Sequence, residues 1–164
     1  LQPPRVTMPP TGANRPRVLL LCTGNSARSQ IAEALVEEMS GGIVDADSAG
    51  SHPRPLHPNA VRVLAERGID IAANRSKHVD EFAGQQFDTI ITLCDRIREV
   101  CPPFRSRPDQ IHWSIPDPSL EATTNELTYP AFERTTNELE RRIGFRLHLL
   151  ARDSNNRRTR HVKR

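Results

Sequence analysis

Val18-Leu19-Leu20-Leu21 runs directly into Cys22-Thr23-Gly24-Asn25-Ser26-Ala27-Arg28-Ser29-Gln30, and a helical pattern follows. Four apolar residues in unbroken succession fit a short strand buried on both faces, because a half-buried strand would alternate. Beyond the loop, Ile31, Leu35 and Met39 recur at helical spacing over 28–39 until Gly41-Gly42 stop the pattern. Strand, glycine-bearing loop and helix start in this order aim consecutive backbone N–H groups at one point, where a tetrahedral oxyanion fits.

The rest of the chain repeats the alternation. A second strand is expected over 43–48, and a helix over 58–67 with His57-Pro58 at its start and Gly68 at its end. Ser76 is expected to cap a helix through Phe82. Residues 87–93 read as a third strand and Ile111-His112-Trp113 as a short fourth. Phe132, Leu139, Ile143, Leu147 and Leu150 define a long amphipathic helix over 130–151. Strands alternating with helices imply an α/β fold, a single three-layer domain with a four-stranded parallel sheet and helices on both faces. The loops that follow the strands then gather at one sheet edge, where ligands bind.

At 164 residues, with 36% hydrophobic and 26% charged residues, the chain suffices for one core and not for two ordinary domains. No apolar run approaches the roughly 18 residues of a membrane span, and no signal peptide is expected. Five prolines among residues 1–16 mark a disordered leader or linker ahead of a domain at 17–151, with 152–164 a basic flexible tail. The charge is uneven: +3 over 1–17 and +5 over 151–164 leave 18–150 at −5 within a total of +3. The basic ends read as solvated termini, so no specific nucleic-acid partner and no membrane are expected. Three cysteines are too few for a disulfide framework and favour a reducing, cytoplasmic setting.

Cys22 and Arg28 are six positions apart, a weak signal in a chain with 21 arginines; Cys101 and Arg107 repeat it. Context separates the two. No strand precedes Cys101, and Pro102-Pro103 removes two backbone donors, whereas Cys22 has the strand, the glycine and the helix start. The loop's field stabilises a thiolate at Cys22, and the Ser29 hydroxyl is placed to donate to its sulfur. Thr23, Gly24, Asn25, Ser26, Ala27 and Arg28 are the expected oxyanion-binding residues, Arg28 with a planar fork and Asn25 holding the loop's shape.

Cys94 ends the third expected strand, at the same sheet edge, and Cys101 follows after a charged stretch expected to be mobile. A thiol beside a reactive thiolate resolves a covalent intermediate, and another on a flexible segment passes the disulfide outward. Two unrelated thiols fit the spacing equally. Zinc fits poorly, since no cysteine pair has the short spacing of structural zinc sites. Asp117, in Ile115-Pro116-Asp117-Pro118, lies just beyond the fourth strand, as a general acid for a leaving oxygen or as a turn opener. No histidine is assigned to catalysis; His112 is read as alternating out of a strand.

Cys22 through Gln30 with Ala32-Glu33-Ala34 resembles the phosphate loop of the low-molecular-weight protein tyrosine phosphatase fold. In the form Thr-Gly-Asn-Ser and Arg-Ser-Gln, it is similar to the thioredoxin-coupled arsenate reductases. Ser48-Ala49-Gly50, His57-Pro58, Gly68-Ile69-Asp70, Thr92-Leu93-Cys94, Val100-Cys101-Pro102, His112-Trp113 and Asp117-Pro118 extend the likeness. The resemblance implies that Cys22 attacks arsenate with Arg28 helping, that Asp117 protonates the departing oxygen, and that oxidation passes from Cys22–Cys94 to Cys94–Cys101 before thioredoxin reduces it. A monomer that binds arsenate or a phosphate-like oxyanion, with no cofactor, is expected. A tyrosine phosphatase, or an oxyanion-sensing domain of a larger regulator, is the alternative.

The chain departs from that pattern in three places. Ala27 stands where many relatives have another Cys. Lys77 stands where relatives that bind potassium, near the positions of Asn25, Glu33 and Ser48, have an acidic group, so no metal is expected. Ser119–Thr128 looks longer than the usual link.

Overall fold

A computed structural model describes residues 15–100, 104 and 108–161. Strands β1 (Arg17–Cys22), β2 (Asp45–Gly50), β3 (Thr89–Thr92) and β4 (Asp109–His112) form one parallel sheet in the order β2-β1-β3-β4. Helices α1 (Arg28–Ser40), α2 (Pro58–Ala65), α3 (Asp95–Val100) and α4 (Asn125–His161) connect and follow them, with 3₁₀ turns at Val79–Phe82 and Pro118–Leu120. The unit β1-α1-β2 steps toward one edge of the sheet and β3-α3-β4 toward the other. Right-handed crossovers therefore place α1 and α3 on opposite faces, which gives the three layers.

Leu19, Leu20 and Leu21 have no solvent exposure at all. Successive strand residues point to opposite faces, so β1 is covered on both sides, as its unbroken apolar run requires. From above and below it meets Ile31 and Leu35 of α1, Leu64 of α2, Ile97 of α3 and Phe132, Leu139 and Ile143 of α4, all buried in one core. Gly41 closes α1 at φ 62, donating its N–H back to the last turn.

The connections reverse direction between β1 and β3. Chains leaving adjacent strands toward opposite edges open a crevice beyond the strands' carboxyl ends. Cys22 ends one of these strands, and Cys94 lies two residues past the end of the other. The register aligns Thr92 with His112, which brings the segment after β4, with Asp117, to the same edge.

Several elements differ from expectation. His78, not Ser76, caps the 3₁₀ turn at Val79–Phe82: its Nδ1 accepts from Asp80 N and its own N–H is taken by Glu81. The Ser76 hydroxyl donates instead to the carbonyl of Asn25 at 2.8 Å. The stretch after Cys94, expected to be mobile, forms helix α3. Helix α4 starts at Asn125 and contains Pro130, whose missing N–H removes the i→i−4 bond to the carbonyl of the exposed Glu126. Six of the ten residues in the long 119–128 link are thus 3₁₀ turn or helix. The backbone of α4 continues to His161, past the expected end at 151. Most of the expected leader, residues 1–14, and Cys101 lie outside the described residues.

Candidate active site

Cys22 is 2% exposed, at the floor of a cavity of about 420 Å³. Thr23, Gly24, Ser26, Ala27 and Arg28 form its inner wall. Helix α1 begins here with Ala27 as N-cap and no side chain bonding its first amides. A helix start without a side-chain cap presents those N–H groups to an anion instead.

Behind the loop a buried polar network fixes its shape. Asn25 holds φ 46, a left-handed conformation that Asn tolerates better than most residues. Its Nδ2 donates to Ser29 Oγ at 2.8 Å and to Ser48 Oγ at 2.9 Å, while its Oδ1 accepts from Lys77 N at 2.9 Å. The Asn25 side chain therefore shapes the loop from outside the cavity. Gly50 completes the seat: a Cβ there would lie 2.5 Å from the carbonyl oxygen of Thr23, so the loop passes only because position 50 has no side chain.

Ser29 Oγ lies 2.8 Å from Cys22 Sγ. Because Ser29 accepts from Asn25, its own proton is free for the sulfur. A hydroxyl donating into sulfur favours the thiolate over the thiol.

Arg28 is rooted at the start of α1, with Nη1 donating to Ile115 O at 2.8 Å and Nη2 3.6 Å from Asp117 Oδ2. Asp117 Oδ1 accepts from the N–H and the hydroxyl of Ser119, at 3.0 and 2.7 Å. The Oδ2 atom thus faces Arg28 and the cavity, placed to carry a proton to a leaving oxygen.

Cys94 lines the same cavity, and its sulfur lies 3.2 Å from Thr23 Oγ1. The structure therefore brings together Cys22, Thr23, Arg28, Ser29, Cys94 and Asp117. Sequence reasoning missed Arg54, Asp95, Arg96 and Leu120 on the rim. No local pattern marks them; only the fold sets them beside the loop.

At the side of the loop, Glu33 Oε2 accepts from Ser48 Oγ at 2.6 Å and lies 3.8 Å from Lys77 Nζ. Burial raises the Glu33 pKa, while the Ser48 hydrogen bond and the Lys77 charge work against that rise. The Lys77 ammonium thus supplies positive charge beside this carboxylate. Among the described residues, no three His, Cys, Asp or Glu side chains gather as a metal site needs.

Residues 17–156 match the family described as low molecular weight phosphotyrosine protein phosphatase. An arsenate reductase of Halalkalibacterium halodurans is 37% identical over 130 residues, covering 79% of this chain and 94% of the relative. A solved arsenate reductase from Archaeoglobus fulgidus superposes with a TM-score of 0.60 at 28% identity, over 77% of this chain and 98% of the other. A thioredoxin-dependent arsenate reductase of Corynebacterium glutamicum gives 0.57 at 29% identity, over 82% of this chain and 65% of that one.

Proposed function

This chain belongs to the low molecular weight phosphotyrosine protein phosphatase family, and from that premise we propose that it is an arsenate reductase with a disulfide relay through Cys22, Cys94 and Cys101. The observation that carries the reading is Cys94 in the cavity that holds Cys22, its sulfur 3.2 Å from the Thr23 hydroxyl of the oxyanion loop. A phosphatase needs Cys22, Arg28 and Asp117 and leaves that thiol idle.

Arsenate enters the loop 23–28 and pairs with Arg28. The Cys22 thiolate attacks arsenic while Asp117 gives a proton to the oxygen that leaves as water. The Cys94 thiolate then attacks Cys22 sulfur: the S–S bond forms, the S–As bond breaks, and the electron pair stays on arsenic. Arsenic passes from the +5 to the +3 state and departs as arsenite. Cys101 next attacks Cys94, Cys22 leaves as thiolate, and a Cys94–Cys101 disulfide remains for an external dithiol, thioredoxin in our reading, to reduce. The catalytic unit is residues 17–151, acting as a monomer in the cytoplasm, with the leader and tail outside the chemistry.

The test is arsenate-dependent NADPH oxidation coupled through thioredoxin and its reductase. Cys94→Ser and Cys101→Ser are each expected to lose turnover and to keep phosphate-ester hydrolysis. Full turnover in both variants contradicts the relay; oxyanion binding without turnover in any form indicates a sensing domain instead.

The phosphatase reading has its own support in Asp117 beside Arg28, which serves ester cleavage equally. No aromatic side chain lines the described cavity, which favours a small inorganic oxyanion over an aryl phosphate.

A further inference from the structure

We propose that His112 is a positioning residue for Cys94: its imidazole straddles the turn that carries this thiol and holds it, with α3, against the cavity. This rests on the relay reading above. The ring sits at the end of β4, beside Thr92 in the sheet register. His112 Nδ1 lies 2.7 Å from Thr92 Oγ1, and Nε2 lies 2.7 Å from Asp95 Oδ1. Thr92 is the last residue of β3 and Asp95 the first of α3. One ring therefore ties the residue two before Cys94 to the residue just after it. Ser114 Oγ adds a second donor to Asp95 Oδ1 at 3.2 Å.

The proton positions follow from the partners. A carboxylate only accepts, so Nε2 carries the hydrogen. In the neutral ring Nδ1 then accepts from the Thr92 hydroxyl, whose alternative contact, Ile111 O, is longer at 3.4 Å. Both ring nitrogens are thereby used, and the ring is not part of the cavity wall. Its effect on chemistry runs through Cys94 alone.

Helix α3 has six residues. A helix far shorter than about 12 residues does not hold itself together, so tertiary ties decide whether it stays wound. Its first residues, Asp95 and Arg96, form part of the cavity rim. With the ring in place, Cys94 waits within the cavity for the Cys22–arsenic adduct; without it, the turn frays and Cys94 meets Cys22 sulfur less often. The bond to Asp95 reaches solvent, the Asp95 side chain being 80% exposed, so the tie opens readily once the first disulfide has formed.

The experiment uses the full chain with His112→Ala, His112→Gln and Asp95→Ala. Formation of the Cys22–Cys94 disulfide after one equivalent of arsenate is followed by acid quench and thiol mapping, alongside hydrogen exchange over α3 and aryl phosphate hydrolysis. His112→Ala removes both ring hydrogen bonds and is expected to slow the disulfide roughly five- to tenfold and to speed exchange in α3. In His112→Ala and His112→Gln, ester hydrolysis, which does not need Cys94, should stay within about twofold of wild type. His112→Gln, whose amide can still donate to Asp95, should recover part of the rate. Asp95→Ala, altering a mostly exposed side chain, should slow the disulfide as His112→Ala does. An unchanged disulfide rate with unchanged α3 exchange overturns the proposal, as does an equal fall in ester hydrolysis. If wild type itself forms no Cys22–Cys94 disulfide, the relay fails, and exchange in α3 still decides whether His112 holds the turn.

Discussion

The hydroxyl of Ser29 lies 2.8 Å from the sulfur of Cys22 and accepts from Asn25 on its other side, so its proton has one direction left to go. Removing that donor, in Ser29→Ala, leaves the thiolate with one charge-assisted bond fewer, worth about 1.5–3 kcal/mol. The rate of Cys22-dependent ester hydrolysis should fall roughly ten- to hundredfold. Stopped-flow assay of wild type and variant checks this; a fall below about threefold would show that the loop alone sustains the nucleophile.

Gly50→Ala places a Cβ within 2.5 Å of Thr23 O and 2.9 Å of Asn25 N, backbone atoms with no freedom to move aside. We expect a loss of about 1–3 kcal/mol in stability together with weaker inorganic phosphate binding, since the displaced strand is the oxyanion loop. Thermal unfolding with and without phosphate reads both effects; an unchanged phosphate shift contradicts the role given to Gly50.

Lys77 Nζ lies 3.8 Å from Glu33, and its backbone N–H also bonds Asn25 Oδ1. Exchanging sodium for potassium at constant ionic strength should leave wild-type Tm and turnover unchanged. Lys77→Ala should lower Tm, because Glu33 then sits buried without its counter-charge, and potassium should restore part of the loss. A rise in wild-type activity or Tm on adding potassium contradicts this reading.

His57 caps α2 by accepting from Asn59 N at 3.0 Å, and its ring packs on Phe132 with centroids 4.6 Å apart. Burial lowers its pKa from 6.5, against an opposing pull from Asp117. The folded chain thus resists a proton that the unfolded chain accepts. Stability should be full above pH 6.5 and decline as pH falls from there toward the lowered value. His57→Gln should flatten that part of the profile in denaturant titrations, and an identical slope in the variant would remove His57 as its source.

Much of this architecture was legible because β1 is apolar without a break and leads into a loop whose residue types have few other uses. The edge shared by Cys22 and Cys94 followed from strand ends, and Arg28 and Ser29 from the loop and helix start after Cys22. What escaped depends on register rather than local pattern. Thr92, His112 and Asp95 meet across 20 and 17 residues of sequence, and only the pairing of β3 with β4 reveals it. Arg54 reaches the rim from a loop and Arg96 from the start of α3, and neither carries a spacing signal. Helix α3 is charged and short, so periodicity had no window in which to register. Pro130 hid the first turn of α4, since proline normally marks a boundary.

The most direct measurement is disulfide mapping of Cys101→Ser after one equivalent of arsenate, with arsenite counted in the same quench. The relay predicts one Cys22–Cys94 disulfide and one arsenite per chain, with no further turnover. Two free thiols at Cys22 and Cys94 after arsenate has bound would contradict it.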